Sequence, residues 1–300
     1  MQKRTLVSFD WALKKLLRQK ANYGILEGFL SELLRFDVTI ENILDGESNK
    51  DDQDLKINRV DILAQDSDKR LYIIELQYSH ELEYFHRMLF ATSKSTVEYL
   101  KEGFDYDRVR KVYSVNLLYF QLGQGSDYVY YGTTRFIGMH QGDELKLSPL
   151  QKEKFFVNEV HHIFPEYYVI KINNFDDVAK DKLDEWIYFF KNTVLPEKYS
   201  ARGLQLMEKA LNVNDLLDSD RRDYESYQKS KVVERNVINT ARLEGRAESQ
   251  IEGRQVGEQI AKEKVAVQMF KDGLPVETIG KYTGLSAESI QNVLLREGLI

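Results

Sequence analysis

The sequence predicts an α/β fold in which a helical start, three strands, a helix and a fourth strand follow in order, with a C-terminal helical extension. Three observations predict it. Residues 8–20 and 22–35 carry apolar side chains at helical spacing. Residues 56–65 and 70–78 read as strands, the second β-branched and aromatic, and are joined by the short polar connector DSDK, as in an antiparallel hairpin. After Pro196 the composition shifts to Glu, Lys, Arg and Gln, which suits exposed helix rather than core.

Each element has its own reason. In 8–20, Phe9, Ala12, Leu13, Leu16 and Leu17 share a face, with Lys14, Lys15 and Arg18 mostly on another. The second helix turns Ile25, Leu26, Phe29, Leu30, Leu33 and Leu34 inward. FDVTIENIL (36–44) reads as a strand, and the acidic segment DGESNKDDQD after it as a loop. RLYIIELQY (70–78) suits a buried central strand. Residues 81–102 form an amphipathic helix, and VRKVYSVNLLYFQL (109–122) returns as a strand. Residues 126–139 and 155–172 are expected to be β or irregular, and 176–192 helical with Leu183, Trp186, Ile187 and Phe190 inward.

Composition bounds the function. A hydrophobic share of 42% with 12% aromatics can build a core, which argues against disorder. The absence of cysteine excludes disulfides and thiolate metal sites. No stretch approaches the roughly 18 apolar residues of a membrane span, and the N-terminus lacks a signal-peptide run. A soluble cytoplasmic protein without membrane partners is the expectation. The net charge of −6 does not exclude nucleic acid, because charge is segregated along the chain. Residues 1–20 are basic, whereas 41–54 are acidic. There is no phosphate-binding G-x-x-x-x-G-K-[ST] loop. The five histidines lack zinc-site spacing, so a surface position is expected for each.

The chemistry concentrates in the hairpin. Glu75 stands inside the apolar run LYIIEL, where a lone charge needs a partner. Glu75 and Gln77 are two apart on one strand and so share a face. Asp61, on the preceding strand, comes near them if the hairpin is in register. Two converging carboxylates make a hard oxygen site for Mg²⁺ or Mn²⁺, and Gln77 would orient a water or touch a phosphate. Pattern alone leaves open that Asp61 and Glu75 merely face solvent on an alternating strand.

The spacing D-x13-E-x-Q in KINRVDILAQ…LYIIELQ, followed by EYFHRMLFATS with Arg87, resembles the recombination-promoting nuclease / putative transposase family of the PD-(D/E)XK nuclease superfamily. The opening FDWALKKLL is similar to that family's first helix, which maps its acid and lysine onto Asp10 and Lys14. Lys56 occupies a further family position. The resemblance covers roughly residues 8–122 well and the rest loosely. It implies a restriction-endonuclease-like αβββαβ core and a divalent metal at Asp61 and Glu75. It also implies metal-dependent endonuclease hydrolysis of DNA phosphodiesters, with little sequence preference, in recombination or transposition. Asp10 is then a third acid of the catalytic group, although Asp also suits a helix N-cap at this point. Lys14, Lys56 and Arg87 become candidates for contacting phosphate, with Arg87 better suited to pairing with an acid at the site. Gln77 departs from the superfamily's usual lysine, since glutamine carries no charge. A catalytically inactive DNA- or protein-binding relative that keeps the fold is the alternative.

The expected divisions are 1–195 for the nuclease-like domain, 196–265 for a charged helical extension and 266–300 for a small helix-turn-helix-like unit. Gly245, Gly253 and Gly257 inside the extension imply either close helix–helix approach or a flexible tether. A homo-oligomer through these C-terminal helices is one partner expectation, and DNA is the other. In the last unit Ile279, Leu285 and Ile290 form a small core, with the turn at Thr283-Gly284-Leu285. Its few basic residues suit protein interaction better than DNA reading.

Overall fold

The computed structural model describes residues 6–44, 60–99, 106, 109–213 and 216–300, with the backbone alone for Lys14, Glu234 and Arg235. Lys56 lies outside the described residues. The chain divides into two compact units, Met1–Tyr224 and Glu225–Ile300.

The first unit is a mixed α/β structure built on a six-stranded sheet. Helices α1 (Phe9–Lys15) and α2 (Tyr23–Leu34) precede strands β1 (Ile40–Leu44), β2 (Ile62–Asp66) and β3 (Leu71–Gln77). Helix α3 (Tyr84–Glu98) leads to β4 (Val112–Leu118) and β5 (Val129–Gly132). Then come α4 (Pro149–Phe155), β6 (Glu166–Lys171), α5 (Lys182–Asn192) and α6 (Leu204–Ala210). The strand order is β1-β2-β3-β4-β6-β5. β1, β2 and β3 pair antiparallel, β4 runs parallel to β3 and to β6, and β5 closes the edge antiparallel.

Several elements are shorter than the sequence pattern suggests, each for a local reason. The first helix stops at Lys15 because the chain turns there, with the Leu16 carbonyl accepting from Gln19 N–H (3.1 Å) and Asn22 Nδ2 (2.9 Å). β1 begins only at Ile40, since the amides of Val38 and Ile40 donate to Ser31 Oγ (3.0 Å) and Glu27 Oε1 (2.8 Å) on α2. α5 begins at Lys182 because Asp181 caps it, accepting from the Asp184 amide (2.9 Å). α4 falls in a stretch with no assigned element, yet Ser148, Pro149 and Gln151 build a complete capping box there.

The β2–β3 turn matches the expected connector. Asp66 Oδ1 accepts from the Arg70 amide at 2.9 Å, and Lys69 adopts a left-handed φ of 64°. β3 is flanked on both sides, so its backbone groups are paired and the apolar run Leu71–Ile74 is fully buried. Leu63, Leu71, Ile73 and Val112 form one cluster with Ala91 and Tyr99 of the α3 segment. That fixes which sheet face α3 covers. A second cluster on the same helix joins Tyr84 and Met88 to Leu118, Phe120 and Val169. Helices α1, α2 and α5 meet through Phe9, Phe29, Trp186 and Phe190, with Phe29 and Phe190 edge to face at 5.0 Å. Gly28 lets α2 approach the Arg202 carbonyl so closely that a Cβ would land on it.

The second unit is dominated by α7 (Asp218–Lys271), which begins in the first unit and runs through Gly245, Gly253 and Gly257 without a break. A Cβ at any of these glycines would meet nothing within 4 Å, so they serve no close approach inside the chain. α8 (Val276–Thr283) and α9 (Ala287–Arg296) follow, joined at Gly284 (φ 72°). Ser286 caps α9 by accepting from the Ser289 amide (3.1 Å). Ala266, Ile279, Leu285, Ile290 and Leu294 form the core of this hairpin. Among the described residues, no helix is long and apolar enough to cross a membrane.

Candidate active site

The hairpin register places the two acids. The paired register ends at Ile62 and Ile74, so Asp61 just precedes the paired stretch of β2 and Glu75 just follows that of β3. Alternation puts Glu75 and Gln77 with Leu71 and Ile73 on the face that α3 covers. Asp61 sits at a bend just before β2, and partners among the described residues hold it there. Its Oδ2 accepts from the Leu76 amide at 2.8 Å, and Arg18 donates to its backbone carbonyl at 2.8 Å. Glu75 is only 6% exposed, in a strand that is otherwise core. Gln77 is half-buried at the strand end, where its carbonyl accepts from the Tyr119 amide (2.9 Å).

Helix α3 completes the surroundings. Arg87 places Nη2 3.4 Å from Glu75 Oε2 and Nη1 3.2 Å from Glu81 Oε2. Burial works to lower the Arg87 pKa, but the charges of Glu75 and Glu81 outweigh it and the net shift is upward. Of the two sequence readings for Arg87, the geometry is that of a residue pairing with an acid. Tyr84, almost wholly buried, donates to Asn116 Oδ1 at 3.0 Å. Asn116 stands beside Glu75 in the parallel register and donates to Ser114 Oγ (3.0 Å) and the Tyr168 carbonyl (3.2 Å). Burial first, then the charge of Glu75 and more weakly that of Asp61, push the Tyr84 hydroxyl pKa well up. Both acids therefore act on the same buried hydroxyl.

Tyr84, Asn116 and Glu81 are members of this site that the sequence reading did not single out. A signal existed for Asn116. Ser114 and Asn116 are polar residues at period two in the buried strand VYSVNLL, the same anomaly that marks Glu75. Tyr84 carries no such mark, since an aromatic on an amphipathic helix reads as core.

The remaining candidates are placed less tightly. Asp10 is 1% exposed and lies in the first turn of α1. It does not hold the N-cap, which is Ser8, because Asp10 already has helical backbone. Lys14 lies on α1, with its side chain outside those described.

A divalent metal fits the donor chemistry of the pair. Asp61 and Glu75 offer hard carboxylate oxygens at the same end of the hairpin, and an oxygen that accepts one N–H keeps a second lone pair. Among the described residues, Asp10, Asp61 and Glu75 do not form a set of three donors within 4.8 Å of one another. Such a set does occur at His161, His162 and Glu166, although no zinc-type spacing announced it. These two histidines are half-buried, against the expected surface position, and they converge with Glu166 because a 3-10 turn (Val160–His162) leads into β6. Lys111 already meets this cluster as a cation, donating to Glu166 Oε1 at 2.7 Å and to the His161 carbonyl at 2.9 Å. Nearby, a cavity of about 1230 Å³ is lined by Lys69, Arg70, Arg110, Lys111, Phe155 and His162. It does not include Asp61 or Glu75.

No curated protein and no solved structure matches the chain. The model of the PD-(D/E)XK nuclease family transposases matches residues 7–241. That span holds Asp61, Glu75, Gln77 and Arg87 with the elements that position them, and the mixed α/β fold on a six-stranded sheet is consistent with this nuclease type. The chain belongs to the PD-(D/E)XK nuclease family transposases.

Proposed function

We propose that this chain is a divalent-metal-dependent DNA endonuclease whose αβββαβ core holds Mg²⁺ or Mn²⁺ between Asp61 and Glu75. The observation that carries the reading is that Asp61 accepts from the amide of Leu76, the residue after the buried Glu75, which brings the two acids to the same end of the β2–β3 hairpin. When bound, the ion polarises the scissile phosphate and acidifies a water. Within this reading the chain's own residues have distinct tasks. Arg87 holds Glu75 and Glu81 in place and offsets their mutual repulsion. Gln77, next to Glu75 on the same face, orients the attacking water through its amide. Asp10 supports the acid pair from α1, and Lys14 and Lys56 contact the DNA backbone. A role in recombination or transposition, a cytoplasmic location and the joining of chain copies through the C-terminal helices belong to the same proposal.

The test is cleavage of a supercoiled plasmid by the purified chain with and without Mg²⁺ or Mn²⁺, beside Asp61→Ala and Glu75→Ala. Metal-dependent cleavage lost in both variants, with their folding intact, supports the reading. Binding of DNA without cleavage under either metal supports the second reading, an inactive relative. Gln77 in place of lysine and the Arg87 cation already seated at Glu75 favour that second reading.

A further inference from the structure

The long helix α7 is the feature of the second unit that its own fold leaves unexplained. Between its packed ends the helix is exposed on every side over residues 236–262, and such a stretch is poorly stabilised by itself. Its apolar residues remain in solvent, with Val237 63% and Ile251 59% exposed. From Val233 to Val265 a stripe can be followed in alternate steps of four and three residues, the spacing of a coiled-coil seam.

We infer that α7 pairs with α7 of a second copy of this chain as an antiparallel coiled coil centred on Ser249. The argument is charge and size complementarity about that centre. In a two-fold pairing each contact occurs twice, with i opposite j and j opposite i. Centring on Ser249 sets Val233 opposite Val265, Val237 opposite Ala261, and Ala247 opposite Ile251. The same centre sets Glu244 opposite Arg254, and Thr240 opposite Glu258. Both oppositely charged seam positions thus meet their complement, twice.

The parallel arrangement and the neighbouring antiparallel registers fail on the same residues. A parallel pair in register stacks Glu244 on Glu244, Arg254 on Arg254 and Glu258 on Glu258, three layers of like charge. Sliding the antiparallel pair by one heptad step in either direction sets Glu244 and Glu258 against apolar residues, with Arg254 against Ile251 or Val237. The opposite stripe of the helix, through Ile238, Gly245 and Val256, is closed at its end by the chain's own hairpin. There Arg296 pairs with Glu263 at 2.8 Å, and Val267 packs into the hairpin core. The seam through Val265, still 51% exposed, stays open.

This inference rests on the proposal that the C-terminal helices join copies of the chain, and it stands apart from the nuclease chemistry. The chain has no cysteine, so engineered thiols are the sole ones in it. Val233 and Val265 lie about 48 Å apart along one helix, which forbids a disulfide within it. Val233→Cys and Val265→Cys are oxidised separately and as an equimolar mixture after exchange of subunits. The expected result is a covalent dimer from the mixture and none from either variant alone. A dimer from Val233→Cys alone means parallel pairing, and no dimer in any tube means no pairing. Either overturns the inference.

Sedimentation equilibrium supplies a second readout. Glu244→Arg should weaken the dimer about tenfold or more, and Glu244→Arg with Arg254→Glu should restore it. An unchanged dimer in Glu244→Arg overturns the register. Plasmid cleavage is followed on the same samples. A monomer that cleaves DNA rejects this inference alone, and a dimer that does not cleave rejects only the nuclease reading.

Discussion

Arg87 lies 3.4 Å from Glu75 and reaches Glu81 with its other terminal nitrogen, so one guanidinium joins a nearly buried strand acid to one in the loop before α3. Removing it leaves Glu75 in a low-dielectric site without its neighbouring cation. Arg87→Ala should cost about 1–3 kcal/mol in denaturant unfolding. Arg87→Lys should recover only part, because an ammonium lacks the fork that spans two carboxylates. Equal stability of wild type and Arg87→Ala would show that the bridge contributes nothing.

Asp61 has a structural role and a proposed chemical one, and these separate by substitution. Asp61→Asn keeps an oxygen for the Leu76 amide, and the Arg18 bond goes to the backbone, so stability should hold within about 1 kcal/mol. Cleavage should nevertheless fall by about two orders of magnitude or more, because a neutral amide is a poor ligand for a hard cation. Asp61→Ala should lose the fold contribution as well as the activity. An Asp61→Asn variant that cleaves like wild type removes Asp61 from the proposed chemistry.

Gln77 can be tested in both directions. Gln77→Lys supplies a positive charge beside Glu75 and should raise the single-turnover cleavage rate. Gln77→Ala should lower it about tenfold through loss of the orienting amide. A rate unaffected by Gln77→Ala places the work on another residue.

Tyrosine ionisation sets an alkaline limit. Burial, followed by the charge of Glu166, pushes the Tyr113 pKa up to about 12. Burial and the hydrogen bond to Asp66 raise Tyr72 further, and burial and Glu75 raise Tyr84. A pKa raised in the folded state means that the unfolded chain gives up its proton first, at about pH 10. The stability these hydroxyls contribute is complete below about pH 10 and is lost as pH climbs toward the folded values. Urea midpoints should therefore fall above about pH 10, with the buried tyrosines' share of the tyrosinate absorbance appearing together with unfolding. Full tyrosine ionisation in a still folded protein would contradict this.

Much of this protein was legible in the residues themselves. The LYIIEL run announced a buried strand with an acid that needs a partner, and DSDK announced the hairpin, because strand period and turn chemistry are local properties. The order from the first helix to β4 followed from such local signals. The capping box at Ser148 is equally local, yet apolar periodicity assigns the α4 stretch no element. What tertiary structure decided is which distant groups meet. Asn116 stands beside Glu75 because β4 runs parallel to β3 in a particular register, and Tyr84 faces both through the way α3 crosses the sheet. His161, His162 and Glu166 converge through a turn that no spacing rule describes. A strand's period states which face a residue takes, whereas its neighbour across the sheet depends on the packing of the whole chain.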